Sequence, residues 1–193
     1  LGNKKLFQMQ SKILKYKIIL NEIDNIEQAL IKLVNIINVE YRFKSAFSKI
    51  SQNSNRYIND CFNLGLKIIR KNKSIAMING PISKKHFLKK KFLGITEYIA
   101  NKTKSKSPVM LIYNDELAVS PLTTHHPIRD VHKHVKKAKI IHNVLKIDSF
   151  YKLHLKKVPK IAVLGLNPHC ETINKVSEEK SEIIPAINYL IKN

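Results

Sequence analysis

Ile161-Ala-Val-Leu-Gly-Leu-Asn-Pro-His-Cys170 is the stretch on which the reading of this chain turns. Ile161 to Gly165 have the composition of a buried strand, and the apolar run then stops at Asn167 and Pro168. Asn favours a turn and Pro cannot donate to a sheet ladder, so His169 is expected on a short rigid loop just past the strand's carboxyl end. Open α/β sheets place their ligands there. Leu117-Ala-Val-Ser-Pro-Leu-Thr-Thr-His-His-Pro127 has the same layout, with apolar residues running into hydroxyls and then into His125 and His126. Two strand ends that each offer an imidazole point to one shared metal site, because neutral imidazole is a common ligand of divalent ions. On spacing alone, a surface or hydrogen-bonded role for each His competes with that reading.

Working outward, Pro108 to Tyr113 and Leu117 to Leu122 read as two strands joined by a tight turn at Asn114-Asp115. Ile128 to about Leu155 is helical by pattern, with His132, His134, His142 and His154 expected to be exposed among its lysines. Beyond the organising stretch, Ser177 begins a capped helix with Ile183, Ile184, Ile187 and Leu190 on its inner face. Toward the N-terminus, Ser51 to Lys73 carries Tyr57, Ile58, Cys61, Phe62, Leu66 and Ile69 near helical spacing, with Asn53 or Ser54 as the cap. Ser74 to Ile78 reads as a buried strand leading into Asn79-Gly80-Pro81 and a helix near Ser83, which makes one βα unit. Ser83, neighbouring backbone N–H groups and Lys84 have the chemistry to hold an anion, although a plain helix cap needs the same residues. Gly94 opens a helix to about Lys104. Tyr16 to Leu20 reads as a short strand, and Ile26 to Val34 as an apolar segment of open type.

A length of 193 residues with 44% hydrophobic content is enough for a sizeable core and argues against disorder. Cys61 and Cys170 lack CxxC spacing, so neither a disulfide framework nor a zinc ribbon is indicated, and a reducing cytoplasm fits best. No apolar run approaches the roughly 20 residues of a membrane span. The start, Leu1-Gly-Asn-Lys, has neither an initiator Met nor a signal-peptide pattern, so the chain is expected to begin mid-gene. A formal charge of +21 would ordinarily suggest a nucleic-acid or membrane partner. Here only Arg42, Arg56, Arg70 and Arg129 are Arg; the remaining positive charge is Lys, spread along the chain beside abundant Ile and Asn, as an AT-rich coding sequence would produce. The densest clusters, Lys84-Lys85 with Lys89-Lys90-Lys91 and Lys133 with Lys136, Lys137 and Lys139, carry no stacking aromatics. They are expected to be solvated faces.

Asn79-Gly-Pro-Ile-Ser-Lys84, Gly94-Ile-Thr-Glu-Tyr98, Leu122-Thr-Thr-His125, Gly165-Leu-Asn-Pro-His169 and Ser177-Glu-Glu179 with Ile184-Pro-Ala186 occur in that order. So arranged, they resemble the central part of the 4-hydroxythreonine-4-phosphate dehydrogenase family of pyridoxal phosphate biosynthesis. The resemblance implies an α/β/α fold of the isocitrate/isopropylmalate dehydrogenase type, incomplete at both termini, with residues 1–193 a single fragment of a two-lobed enzyme. It implies His125 and His169 as metal ligands, Thr96 as a substrate contact and Glu171 as the match for a loop Glu after His169. A third His ligand and further nucleotide contacts are expected beyond residue 193, and the family's Gly-rich N-terminal segment has no match here, so the fragment alone is expected to be inactive.

Where the family reads Gly-His-Thr-Glu, this chain has Ile95 for the substrate-binding His. An apolar side chain cannot replace that hydrogen bond. The implied reaction is oxidation of 4-hydroxythreonine 4-phosphate by NAD or NADP with a divalent ion (Zn, Mg or Co), giving a β-keto acid that decarboxylates to 3-amino-2-oxopropyl phosphate. The implied setting is a cytoplasmic homodimer acting on a small phosphorylated amino acid, with no membrane partner. Two alternatives stand beside it: a paralogous dehydrogenase of another phosphorylated hydroxy acid, and a non-enzymatic basic module that binds nucleic acid.

Overall fold

The computed structural model describes residues 1–72, 76–89, 91–170 and 177–192. They form two compact units, Leu1–Ser105 and Lys106–Asn193. In the first unit, helix α1 (Lys4–Ile13) starts at Asn3, whose Oδ1 accepts from the N–H of Leu6 at 3.0 Å while Nδ2 donates to the carbonyl of Val39 at 3.2 Å. One buried amide thus caps the helix and ties it to a distant segment. Strand β1 (Leu20–Glu22) pairs in parallel with β2 (Val34–Ile36), Leu20 opposite Val34, and Gly2 bridges Asn38 in the same sense. The strand expected over Tyr16 to Leu20 therefore begins where that stretch ends. After α1 the chain reverses through Lys15 at φ 58°, and the N–H of Tyr16 returns to the carbonyl of Ser11. The open apolar segment resolves into a short 3-10 turn at Ile26–Gln28 and an exposed loop that feeds β2.

Helix α2 (Gln52–Lys71) follows its apolar period closely, but its cap is Ser51 rather than Asn53 or Ser54. The Ser51 hydroxyl accepts from the N–H of Ser54, and the Ser54 hydroxyl accepts from the N–H of Ser51, so both serines belong to one reciprocal cap. The face carrying Ile58 and Phe62 packs toward α3 (Lys84–Phe87) and α4 (Ile95–Thr103). Phe62, Leu88 and Tyr98 form the buried centre of this cluster. The rings of Phe62 and Phe87 meet that of Tyr98 edge-on at 5.2 and 5.1 Å. Of the strand expected over Ser74 to Ile78, Ser74 and Ile75 lie outside the described residues. Residues 76–78 join no ladder among the described residues, and Ile78 is 96% exposed.

The second unit is built on two helical segments. Val135, Ile140, Ile183 and Ala186 form its buried centre, with Leu122, Ile141, Val144, Val163 and Ile187 packed against them. The long helix expected over Ile128 to Leu155 is instead a 3-10 segment (Ile128–His134), helix α5 (Lys137–Phe150) and a π-helical turn (Tyr151–Leu155). The break has a packing reason: non-helical backbone at Val135 and Lys136 lets Val135 enter the core. Of the four histidines expected to be exposed, His132 and His154 are. His134 is half-buried against the ring of His126, centroids 3.7 Å apart, and half-buried His142 meets the carbonyl of Ser107 through Nε2 at 3.2 Å.

Helix α6 (Ile184–Lys192) follows a π-helical turn at Glu179–Ile183. Its inner face is Ile183, Ala186 and Ile187, whereas Ile184 is 48% exposed, contrary to expectation. Spacings of three and four residues share one face, and Ile184 lies about 100° round the axis from Ile183.

The expected strands are the main departure. Pro108–Tyr113 and Leu117–Leu122 meet at a single antiparallel bridge, Ile112 to Val119, supported by the Ser120 hydroxyl donating to the carbonyl of Met110. The organising stretch, Ile161 to Gly165, joins no ladder among the described residues, and Leu164 is 82% exposed. An apolar run signals a preference for burial but carries no information on which neighbour supplies the ladder. The class is α/β: the first unit holds helices and a parallel pair of strands, and the second holds helices and one antiparallel bridge. Among the described residues no helix is long and apolar enough to cross a membrane.

Helix α5 has no side-chain cap of its own, because Lys136 stands at that position. Glu182 supplies the missing acceptor, taking the N–H of Lys137 at 2.7 Å and the ammonium of Lys136 at 3.2 Å. Those hydrogen bonds, from Lys137 first and Lys136 second, hold the Glu182 carboxyl below its ordinary range. Its contribution is therefore present above the unfolded value of 4.5 and is lost as pH falls through the lower folded value. Glu182→Gln is expected to lower the melting temperature at pH 7 and to flatten its decline below pH 4.5, read by circular dichroism. An unchanged acid limb would show that the carboxylate does not cap α5.

Candidate functional site

Asn167 shapes the His169 turn as the sequence suggests. Its Oδ1 accepts from the N–H of His169 and its carbonyl accepts from the N–H of Cys170, both at 3.1 Å. Cys170 takes φ 52°, closing the turn in the left-handed region. The His169 side chain is exposed. Gly165 gives the turn its room: a Cβ at this position would overlap the Cys170 sulfur, which would have to turn aside, and lie 3.3 Å from the carbonyl oxygen of Asn167.

Glu179, only 4% exposed, reaches back to the same turn. Its Oε1 accepts from the N–H of Leu166 at 3.0 Å and from Nδ2 of Asn167 at 3.4 Å. Its own backbone N–H, then those of Leu166 and Asn167 together with Ser177, hold its carboxyl below the ordinary range against the opposing effect of burial. Sequence reading gave Glu179 only a place in a capped helix start. Nothing local to Ser177-Glu-Glu179 signals its contact with the 166–167 turn, because that contact spans 13 residues.

His125 is exposed, sits at φ 60° and follows half-buried Thr123 and Thr124. A non-glycine residue in the left-handed region costs roughly 1–3 kcal/mol and tends to mark a site where side-chain placement matters. His125 and His169 belong to the same unit, Lys106–Asn193. Next in sequence to His125, His126 stacks on His134, whose pKa is lowered by desolvation first and by His126 and Lys139 next. Two imidazoles are suitable donors for a divalent ion, but catalytic zinc normally takes three protein ligands. Among the described residues no cluster of three or more His, Cys, Asp or Glu is placed to hold a metal, and Glu171 lies outside them. The donor chemistry fits; the described set is partial.

Thr96 is half-buried in the first turn of α4 in the first unit. Ile95 beside it packs against the Phe62–Leu88–Tyr98 cluster, so an apolar contact occupies the position where a polar one was expected. Glu97 folds back over Gly94, where a Cβ would stand 3.0 Å from its Oε2. Ser83 precedes the four-residue helix α3 without capping it through its side chain, and its hydroxyl is 2.8 Å from Nδ1 of His86. That partner favours a local structural role over anion binding. The lysines of both dense clusters, apart from Lys90, which is not among the described residues, are exposed as expected, and Lys133 and Lys136 pair with Asp130 and Glu182.

Comparison with known proteins supplies the wider frame. The chain is 31% identical over 197 residues to 4-hydroxythreonine-4-phosphate dehydrogenase of Sulfurihydrogenibium sp., an alignment covering 98% of this chain and 60% of that protein. Against the Aquifex aeolicus protein of the same name it is 41% identical over 95 residues, 49% of this chain and 30% of that one. The crystal structure of 4-hydroxythreonine-4-phosphate dehydrogenase from Klebsiella pneumoniae matches with a TM-score of 0.87 at 20% identity, covering 99% of this chain and 61% of that one. The enzyme of that name from Burkholderia phymatum matches at 0.76 and 21%. The chain thus spans about 60% of the length of the first of these relatives. The family model described as pyridoxal phosphate biosynthetic protein PdxA matches residues 1–193, and the chain belongs to that family.

Proposed function

We propose that the protein is an NAD- or NADP-dependent dehydrogenase that oxidises 4-hydroxythreonine 4-phosphate in pyridoxal phosphate biosynthesis, assisted by a divalent ion held in part by His125 and His169. The observation that carries this reading is the placement of both residues in one compact unit, His125 at a left-handed backbone position and His169 in a hydrogen-bonded turn, in a chain of this family. When bound, a zinc, magnesium or cobalt ion would lower the pKa of the substrate hydroxyl, and the nicotinamide would accept hydride from the carbinol carbon. The β-keto acid so formed loses carbon dioxide to leave 3-amino-2-oxopropyl phosphate. The chain's part is to present imidazole nitrogens at His125 and His169 and to offer the Thr96 hydroxyl to the substrate. A homodimeric, cytoplasmic enzyme of the two-lobed isocitrate dehydrogenase type, with these residues in its central part, belongs to the same proposal.

A second reading rests on Ile95. Its packing into the aromatic cluster leaves no imidazole at that position and favours a related dehydrogenase of another phosphorylated hydroxy acid. Both are tested on the full-length protein by bound metal per protomer and by NAD and NADP reduction with 4-hydroxythreonine 4-phosphate and with other phosphorylated hydroxy acids. His125→Ala and His169→Ala are each expected to weaken metal binding by more than the roughly 10–100-fold typical of losing an outer partner of a ligand. Unchanged metal content in both variants would end the metal-site reading, and reduction only with a different substrate would select the second.

A further inference from the structure

We infer that Glu179 is a positioning residue for the His169 turn, acting through a relay that ends on the His169 backbone. This rests on the proposal that His169 is a ligand. The relay is read from three hydrogen bonds. Glu179 Oε1 accepts from the N–H of Leu166 at 3.0 Å and from Nδ2 of Asn167 at 3.4 Å, and Oδ1 of Asn167 accepts from the N–H of His169 at 3.1 Å. Each end of the Asn167 amide is thus used according to its chemistry: the NH2 donates toward the helix start and the carbonyl accepts within the turn. The amide cannot rotate to serve one partner without leaving the other.

Burial gives the arrangement its rigidity. Glu179 is 4% exposed, and a carboxylate withdrawn from water is stable only when its lone pairs are satisfied. Besides the 166–167 turn, its partners are its own backbone N–H and Ser177, all on the first turn of the segment that continues into α6. Ser177 is itself fixed: its hydroxyl accepts from the N–H of Lys180 at 3.2 Å and its carbonyl accepts from the hydroxyl of Ser181 at 2.8 Å. Ile183 and Ala186, on the following turns, lie in the unit's core. The exposed imidazole at 169 is therefore referenced to the core through Glu179. Outer partners of metal-ligating histidines ordinarily act on the free ring nitrogen. This one would act on the main chain instead, setting where the ring starts from.

The test uses the full-length protein and the variants Glu179→Ala, Glu179→Gln, Asn167→Ala, the double variant Glu179→Ala/Asn167→Ala, and His169→Ala. Two readouts are taken: zinc affinity by competition with a chromophoric chelator, and hydrogen exchange of the Leu166 and His169 amides in metal-free protein. Glu179→Ala is expected to weaken zinc binding by about 10–100-fold and to accelerate exchange at both amides. Glu179→Gln keeps one acceptor oxygen and should restore most of both. The double variant should be no worse than the poorer single one, because the two residues act in one relay. If Glu179→Ala fails to fold, Glu179→Gln and Asn167→Ala carry the same comparison. Faster exchange with zinc affinity within twofold of wild type would overturn the positioning role while leaving His169 as a ligand. Unchanged affinity in His169→Ala would overturn the metal-site reading itself, and the exchange data would then show a purely structural tether.

Discussion

Gly165→Ala is expected to weaken metal binding by the full-length protein by roughly 10–100-fold, the range for disturbing an outer partner of a metal ligand, with Cys170→Ala in the same chain recovering part of the loss. The added methyl would overlap the Cys170 sulfur and press on the carbonyl oxygen of Asn167 at 3.3 Å. That carbonyl accepts the N–H of Cys170, and the Asn167 side chain accepts the N–H of His169; room for the methyl comes from turning the Cys170 sulfur aside and moving the Asn167 carbonyl by a few tenths of an ångström. A small shift of that carbonyl is carried by the same turn to the His169 backbone, and acts as the loss of an outer partner of a ligand would. Replacing Cys170 by Ala removes the sulfur but not the contact with Asn167, which is why rescue should be incomplete. Chelator competition and steady-state rates measure the effect. Wild-type values for Gly165→Ala would mean that the turn deforms freely and that its geometry does not set His169.

Phe62→Ala should destabilise the protein by roughly 3–5 kcal/mol, the range for deleting a buried aromatic ring. Phe62 is buried at the centre of the first unit's cluster, stacked on Phe87 at 6.0 Å and edge-on to Tyr98 at 5.2 Å. Its removal leaves a cavity between α2 and α4 and breaks two ring pairs, each worth about 0.5–1.5 kcal/mol beyond burial. Urea unfolding followed by circular dichroism gives the value. A loss below about 1 kcal/mol would show that the cluster collapses onto the gap instead of holding its shape.

Much of the local architecture was legible in the sequence. Asn167 and Pro168 dictate a turn whatever surrounds them, and His169 follows on it as expected. The period of α2 and the opening of α4 at Gly94 were equally plain, because a helix is specified by hydrogen bonds and side-chain rows that lie within a few residues of one another. Even there the cap of α2 moved to Ser51, since Ser51 and Ser54 satisfy each other and the later residues have no such partner.

Tertiary structure decided what depends on distant neighbours. Ile161 to Gly165 and residues 76–78 have strand composition, yet they join no ladder among the described residues, because pairing requires a second chain segment that composition does not name. Ile184 faces out and Ala186 is fully buried because α6 presents one particular stripe to α5. Val135 breaks the long helical pattern to reach the same core. The sequence by itself named the candidates: His125 and His169 from their layout, Thr96 through the family resemblance, and Ile95 as the departure from that family's pattern. Only the fold decided that a buried carboxylate 13 residues away, Glu179, anchors the turn on which His169 sits, because long-range hydrogen bonds are set by how the core closes and not by the residues beside them.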